Sequence, residues 1–241
     1  MVPEARSTIG FAGSRTVVAM NGVEFEDDSV AGAAVRGFLH RAERGNADGL
    51  VLTHGAGGNC RSALLTTMAE AFCEAGITVL RCDLPFRQAR PFGPPMRGSG
   101  ERDQAGLRAA VAALRRETSG RVFLGGHSYG GRQASMLAAA EPEVAEALLL
   151  LSYPLHPPEK PTVMRTDHFP SLRTPSLFVS GERDGFGTRE ELQAALKMIP
   201  ARTELMMVAG AGHELMAAKK RSDLPEQVLK EFLKFIRADM G

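Results

Sequence analysis

The sequence predicts an α/β fold in which a doubly wound, mostly parallel sheet carries helices on both faces. Two observations support this prediction. Short apolar runs alternate along the chain with longer segments in which apolar residues recur at helical spacing. The short runs are apolar at almost every position, which is typical of strands that are buried on both faces of a parallel sheet.

The apolar runs predict six core strands, at residues 49–53, Ile77–Leu80, Val122–Leu124, Ala147–Leu151, Ser176–Val179 and Thr203–Val208. The helical patterns predict a helix that begins at an Asn59 N-cap and ends before Gly76, helices at Glu101–Glu117 and Gly130–Ala140, a helix from a Thr188/Glu191 capping box through Met198, and a last helix opened by Pro225. Two more polar segments, Arg15–Met20 and Val35–Arg41, predict one or two antiparallel edge strands.

Length and charge limit the classes of protein that fit. The 241 residues include 29 Lys and Arg against 28 Asp and Glu, a net charge of +1, which argues against a nucleic-acid binder. No apolar run reaches the ~18 residues of a membrane span, and the N-terminus lacks a secretory apolar run, so we expect a cytoplasmic protein. We expect residues 1–12 to be a flexible lead-in and residues 13–241 to form a single domain.

A sharp turn between two predicted elements is a candidate nucleophile site. The stretch Gly126-His127-Ser128-Tyr129-Gly130 joins the strand at 122–124 to the following helix and matches the pattern G-x-S-x-G. Glycines on either side of the serine permit a tight turn and close packing of the helix on the strand. The motif therefore predicts Ser128 as a nucleophile above the carboxyl edge of the sheet.

A nucleophilic serine needs a base, which in this arrangement follows both the serine and an orienting acid in the chain. His213 follows the strand at 203–208 and is favoured as the base over His156 and His168, which lie in a proline-rich connection. The acid is expected after the strand at 176–179. There Asp184 is favoured by its loop position, and Glu182 is the alternative.

Acyl transfer also needs two hydrogen-bond donors aimed at the developing oxyanion. The backbone N–H of Tyr129, directly after the serine, is one candidate. The second is expected in His54-Gly55-Ala56-Gly57-Gly58, after the strand at 49–53, with Ala56 as first choice and Gly57 as second. His54 precedes the serine in the chain, and we expect it to bond within its loop rather than to act as the base.

These motifs resemble those of the α/β-hydrolases. More closely, the chain resembles a small, dienelactone-hydrolase-like family that includes a subunit of a non-specific-lethal histone acetyltransferase complex, its testis-expressed paralogue and many bacterial proteins. The resemblance covers about residues 47–237 and implies the α/β-hydrolase fold without a large cap domain, with Ser128, Asp184 and His213 as its triad. The matching stretches are residues 54–58, 83–86, 125–132, 152–158, 177–184 and 212–213, of which Tyr153-Pro154-Leu155-His156-Pro157-Pro158 is the most family-specific.

Two segments are expected to border the pocket. Pro85–Gly100 carries Phe86 and the arginines 87, 90 and 97, which form either an anion-binding wall or, as we favour, a solvated loop whose arginines bind backbone carbonyls. Ser152–Leu172 is rich in proline, too short for a cap domain, and is expected to form at most a small lid. Phe86, Arg87 and His156 are the candidate substrate-binding residues.

Three cysteines, Cys60, Cys73 and Cys82, cannot all pair and fit no zinc spacing, so reduced thiols and no metal or cofactor are expected. Cys60 lies beside the 54–58 loop, where it is either a reactive thiol or, as we favour, a buried one.

Together these residues predict a serine hydrolase that acts on a small carboxylic ester or thioester through an acyl-enzyme. Its expected partner is a small acyl substrate, without nucleic acid or membrane, and its expected state is a monomer or homodimer. Two alternatives stay open, a non-catalytic binding or scaffold protein, and an acyltransferase or perhydrolase that uses the same triad.

Overall fold

A computed structural model of the chain describes residues 22–43, 47–216 and 223–238. Eight strands in this part form one sheet in the order β1-β2-β4-β3-β5-β6-β7-β8. β2 pairs antiparallel with β1 and β4, and the other neighbours are parallel. The strands are β1 Val23–Asp27, β2 Val35–His40, β3 Gly49–Thr53, β4 Thr78–Cys82, β5 Val122–His127, β6 Leu148–Leu151, β7 Ser176–Gly181 and β8 Thr203–Val208.

Helices in the described residues connect these strands and cover both faces of the sheet. They are α1 Ala63–Glu74, α2 Pro85–Ala89, α3 Gly100–Glu117, α4 Tyr129–Ala140, α5 Arg189–Leu196 and α6 Leu224–Arg237, with short 3₁₀ helices at Pro142–Val144 and Phe169–Ser171. The predicted mostly parallel, doubly wound sheet is therefore confirmed, as is an antiparallel strand within Val35–Arg41. Its predicted edge position is wrong, because β2 lies between β1 and β4 and β1 forms that edge of the sheet. The predicted lead-in at 1–12 and edge strand at Arg15–Met20 lie outside the described residues.

Side chains that alternate along the parallel strands build two separate cores. On β6, Leu148 and Leu150 face one core while Leu149 and Leu151 face the other. The first core is closed by α3, α4 and α5, and the second by α1 and α6. Because both faces of each central strand are covered, an apolar residue is favoured at every position, which explains the continuous apolar runs.

The N-terminal ends of two helices test the capping residues predicted from the sequence. The Thr188/Glu191 capping box is confirmed, since each residue's side chain accepts the other's backbone N–H. The prediction of Asn59 as an N-cap is wrong, because α1 begins at Ala63 with Ser62 as its N-cap. Asn59 instead accepts the backbone N–H of Arg61 at 2.9 Å and so forms a turn before the helix.

The carboxyl ends of the parallel strands lie along one edge of the sheet, so the loops that follow them lie beside each other. The connection from β6 to β7, residues 152–175, contains only one 3₁₀ turn, and no described segment forms a cap domain over this edge. Within 22–43, 47–216 and 223–238, no helix has the length and apolar content needed to cross a membrane.

Candidate active site

The turn between β5 and α4 places Ser128 at the carboxyl edge of the sheet in a strained conformation. Its φ is 50° and its ψ is −116°, a region that L-residues seldom adopt, and its N–H donates to the carbonyl of Leu151 at 2.8 Å. A Cβ on Gly130 would lie 2.5 Å from the carbonyl oxygen of His54, and one on Gly126 would lie 2.9 Å from backbone atoms of the next turn. Glycine is therefore required at both positions.

Ser128, His213 and Asp184 lie in one hydrogen-bonded series. The Ser128 hydroxyl is 2.7 Å from Nε2 of His213, and Nδ1 of His213 is 2.9 and 3.0 Å from the two carboxylate oxygens of Asp184. The three residues come from loops after β5, β7 and β8. The structure therefore brings together the three side chains that the sequence analysis selected, in the relative positions of nucleophile, base and orienting acid.

The His213 ring packs against two neighbouring rings, and the backbone carbonyl of His213 contacts one of them. Phe186 stacks against it with centroids 4.1 Å apart at 31°, and the His127 ring lies 5.2 Å away. Nε2 of His127 is 2.9 Å from the carbonyl oxygen of His213. Burial lowers the pKa of His127, so its ring is neutral and donates its Nε2 proton to that carbonyl.

The two candidate acids differ in what they contact. Asp184 is 5% exposed, and its Oδ1 also accepts the N–H of Phe186 at 2.9 Å. The carboxylate of Glu182 instead accepts the N–H of Gly210 at 2.9 Å and lies 3.8 Å from Arg189. The geometry therefore favours Asp184 over Glu182 as the partner of His213.

Residues 54–58, which we call the glycine loop, follow β3 and face Ser128. His54 is buried, and its Nε2 accepts the N–H of Leu84 at 3.1 Å, so the proton of the neutral ring lies on Nδ1. That Nδ1 donates to the carbonyl of Gly55 at 2.8 Å, and burial lowers the pKa of the ring. His54 thus bonds within its loop, as the sequence analysis expected.

Ser128 and His213 open into a cavity of about 590 Å³. The glycine loop, with Ala56 and Gly57, forms one wall. The remaining lining side chains come from the start of α1, from the end of β5 and from the loops after β7 and β8: Ser62, Ala63, Leu64, His127, Phe186, Glu214 and Met216. Sequence reasoning missed Phe186, although its position two residues after Asp184 in the same loop was an available signal.

Tyr129 follows the nucleophile, but its side chain points away from the cavity into the protein. Its hydroxyl donates to Asp103 at 2.7 Å, and the other carboxylate oxygen of Asp103 accepts the N–H of Phe86 at 3.0 Å. The Tyr129 and Phe86 rings pack edge to face with centroids 5.6 Å apart. Asp103 therefore ties α2, α3 and α4 together directly behind the turn that holds Ser128.

The three candidate substrate-binding side chains lie outside the lining of this cavity, which corrects that prediction. Phe86 is 7% exposed and packs between His54 and Tyr129. Arg87 binds backbone carbonyls, as expected for the arginines of this segment, but it is buried at 6% exposure and lies on α2 rather than in a solvated loop. His156 contacts the carbonyl of Pro157 at 2.8 Å and, at 3.3 Å, the capping carboxylate of α5.

The cysteines take no part in this arrangement. Cys60 is buried, and desolvation raises its pKa to about 12, so its thiol is protonated and unreactive at neutral pH. Burial also raises the pKa of Cys82. All three cysteines are free thiols, and no three His, Cys, Asp or Glu side chains in the described ranges gather in a metal-binding arrangement.

Known proteins share both the sequence pattern and the fold. The sequence pattern of the family described as alpha/beta hydrolase domain matches residues 46–240. Est1E from Butyrivibrio proteoclasticus superposes with a TM-score of 0.70 at 18% identity, over 89% of this chain and 99% of that one. Dienelactone hydrolase from Anabaena variabilis gives a TM-score of 0.69 at 20% identity over the same shares of the two chains.

A third solved structure shares the fold of this chain. XC6422 from Xanthomonas campestris, described as an α/β serine hydrolase without a lid, gives a TM-score of 0.68 at 17% identity over 88% of this chain and 95% of that one. These TM-scores show a common fold, and the family pattern spans most of the sequence. The chain therefore belongs to the α/β-hydrolase family.

Proposed function

We propose that this protein is a serine hydrolase that cleaves a small carboxylic ester or thioester through an acyl-enzyme. The observation that carries the proposal is the series from Ser128 through His213 to Asp184, with contacts of 2.7 Å and 2.9–3.0 Å, open to a cavity of about 590 Å³. A serine hydrogen-bonded to a histidine that in turn contacts a buried carboxylate is a nucleophile with its base already in place.

The chemistry follows from these positions. The Ser128 oxygen attacks the acyl carbon while Nε2 of His213 takes its proton, and Asp184 stabilises the imidazolium that forms. The N–H of Tyr129, with that of Ala56 or Gly57, donates to the oxyanion of the tetrahedral intermediate. The imidazolium then protonates the departing alcohol or thiol. Water repeats the sequence on the acyl-enzyme and releases the carboxylic acid and free Ser128.

The shape of the cavity supports a small substrate. A volume of about 590 Å³ lies within the range of ordinary small-molecule sites. Leu64, Phe186 and Met216 supply apolar wall, while the glycine loop allows close approach of the backbone to a substrate. Among the structural neighbours, Est1E has been solved with ferulic acid bound, and dienelactone hydrolase carries its substrate class in its name. Both support a carboxylic-ester substrate.

The wider assignments are part of the same proposal. We place the protein in the cytoplasm, as a monomer or homodimer that works on a small acyl substrate without nucleic acid, membrane, metal or cofactor. The stretch from Tyr153 to Pro158 supports a place in the small dienelactone-hydrolase-like family that the sequence resembles.

Turnover of p-nitrophenyl acetate and labelling by a fluorophosphonate probe test the proposal directly. Ser128→Ala should abolish labelling and lower kcat by about 10⁴-fold or more, because the nucleophile is lost while the cavity is kept. Ser171→Ala, an exposed serine outside the cavity, is the matched control and should behave as wild type.

Two outcomes would redirect the assignment. If wild type and Ser128→Ala are equally slow and neither reacts with the probe, the protein is not a serine hydrolase, and the binding or scaffold alternative gains support. If product analysis with a competing alcohol or peroxide shows transfer to that acceptor in preference to water, the same triad serves an acyltransferase or a perhydrolase.

A further inference from the structure

Arg87 donates hydrogen bonds to backbone carbonyls in and around the glycine loop. The side chain is 6% exposed and rises from α2 behind that loop. Its Nη2 donates to the carbonyls of Ala56 at 2.7 Å and Gly93 at 3.0 Å, and its Nε donates to the carbonyl of Gly58 at 2.8 Å. Its Nη1 donates to the carbonyl of Arg90 at 3.2 Å.

A buried guanidinium that binds only carbonyls is an unusual arrangement for a charge. No carboxylate in the described residues forms an ion pair with Arg87, so its charge is stabilised by four backbone carbonyls and by the face of the Phe86 ring, whose centroid lies 4.9 Å from Cζ. Burial of a charge is costly unless hydrogen bonds replace its water. Such an arrangement persists when the rigid fork of donors fixes several backbone groups at once.

Two of these carbonyls belong to the glycine loop. Because a peptide group is planar, a bond that fixes the direction of its C=O also fixes the direction of its N–H. In a trans peptide the C=O and the following N–H point in opposite directions. By holding the carbonyl of Ala56 from behind, Arg87 turns the N–H of Gly57 away from itself, and Gly57 lines the cavity that Ser128 opens into. The bond to Gly58 fixes the far end of the same loop.

The neighbouring peptide is held by a different side chain. The carbonyl of Gly55 accepts Nδ1 of His54 at 2.8 Å and the N–H of Gly58 at 3.1 Å, which together set the direction of the N–H of Ala56. The two candidate oxyanion donors in this loop are therefore oriented separately, Ala56 through His54 and Gly57 through Arg87.

We propose that Arg87 is a positioning residue for catalysis, which holds the glycine loop with its amide groups aimed at the oxyanion that forms beside Ser128. The inference rests on the proposed hydrolase function. It replaces the prediction of Arg87 as a substrate-binding residue, because the guanidinium binds the carbonyls of the loop and does not line the cavity. Loss of the Arg87 side chain should reduce the stabilisation of the transition state, while the contacts of the protein with the bound substrate stay in place.

Arg87→Met removes every donor and keeps most of the side-chain volume, and Arg87→Lys keeps the charge on a single nitrogen that cannot reproduce the planar fork. Arg97→Met, an exposed arginine of the same segment, is the matched control. We expect kcat for p-nitrophenyl acetate to fall about 10- to 100-fold in both Arg87 variants, with KM within about threefold of wild type. A trifluoromethyl ketone, which adds to serine as a tetrahedral anion, should lose affinity by a similar factor.

Hydrogen exchange of the peptide that covers the glycine loop provides a readout independent of turnover. Exchange should be faster in Arg87→Met than in wild type or Arg97→Met, because the loop loses two anchors. Thermal unfolding establishes that each variant is folded, and Arg87→Lys serves if Arg87→Met is not.

The results separate this inference from the proposed function. Wild type without turnover or probe labelling would contradict the hydrolase assignment, and the exchange measurement would still test Arg87. An active wild type whose Arg87 variants match Arg97→Met in kcat and ketone affinity would overturn the positioning role. A rise in KM with kcat unchanged would also overturn it, since that result means a contact with substrate.

Discussion

Replacement of Asp184 by asparagine tests the proposed triad through the protonation of His213. In the wild type, Oδ1 accepts the N–H of Phe186 at 2.9 Å, and both carboxylate oxygens lie within 3.0 Å of Nδ1 of His213. Asparagine has only one oxygen, and its amide nitrogen can only donate. If the oxygen stays with Phe186, the amide faces His213 and requires Nδ1 to accept. The ring proton then lies on Nε2, 2.7 Å from the Ser128 hydroxyl, where it blocks proton transfer.

The size of the effect follows from the burial of this acid. The Asp184 carboxylate is 5% exposed, so water cannot take its place, and the favoured tautomer of the variant is inactive. We expect kcat to fall by about 10³- to 10⁴-fold, a rise of about 4 to 5.5 kcal/mol in the activation free energy. KM should stay near the wild-type value, because Asp184 does not line the cavity.

The assay is turnover of p-nitrophenyl acetate together with ¹⁵N NMR of the His213 ring, which reports the protonated nitrogen. Glu182→Gln is the matched control, because Glu182 lies two residues away and contacts Gly210 rather than His213. Retention of more than one-tenth of the wild-type kcat in Asp184→Asn, or an equal loss in Glu182→Gln, would refute the reasoning.

Three further predictions concern stability and reactivity. Gly130→Ala should lower the free energy of unfolding in urea by about 3 kcal/mol or more, since its Cβ would lie 2.5 Å from a backbone oxygen; a smaller loss would mean that the turn can relax. Burial raises the pKa of Asp103 in the folded protein, so the folded state binds this proton more tightly than the unfolded state does. The resulting stabilisation is fully present below the ordinary carboxyl pKa of about 4 and is lost as pH rises through the pKa of the folded state. The free energy of unfolding of Asp103→Asn in urea should therefore rise relative to that of wild type between about pH 4 and pH 7. A difference in unfolding free energy that stays constant over this range would contradict the prediction. Iodoacetamide near pH 8 should alkylate Cys73 before Cys60, whose pKa is about 12, and peptide mass spectrometry showing the reverse order would contradict the burial argument.

The sequence predicted the parts of the molecule that obey strong local rules. Parallel strands inside a sheet are buried on both faces and are therefore apolar on both, so β3, β5 and β6 are recognisable from the sequence as largely apolar runs. The order of the loops after such strands is enough to nominate Ser128, Asp184 and His213, because the carboxyl ends of parallel strands share one edge. The structure brings these three side chains together, and their catalytic roles stay a prediction.

Features that depend on distant partners were not predictable in the same way. β1 is short and largely exposed, so it carries little apolar signal. The prolines around α2 suggested a loop, although proline is well suited to the first turn of a helix, as Pro85 shows. The role of Arg87 depends on carbonyls about thirty positions earlier in the chain, whose orientation only the folded glycine loop defines.

The residues of the site lie far apart along the chain, so activity and probe labelling can report on folding. Ser128 and His213 are 85 positions apart and meet only when β5 and β8 both belong to the sheet, with β6 and β7 between them. Proteolytic fragments that end before β8 should therefore bind no fluorophosphonate. During refolding, the return of labelling should trail the return of helical circular dichroism, because sheet closure across such long sequence separations is slow.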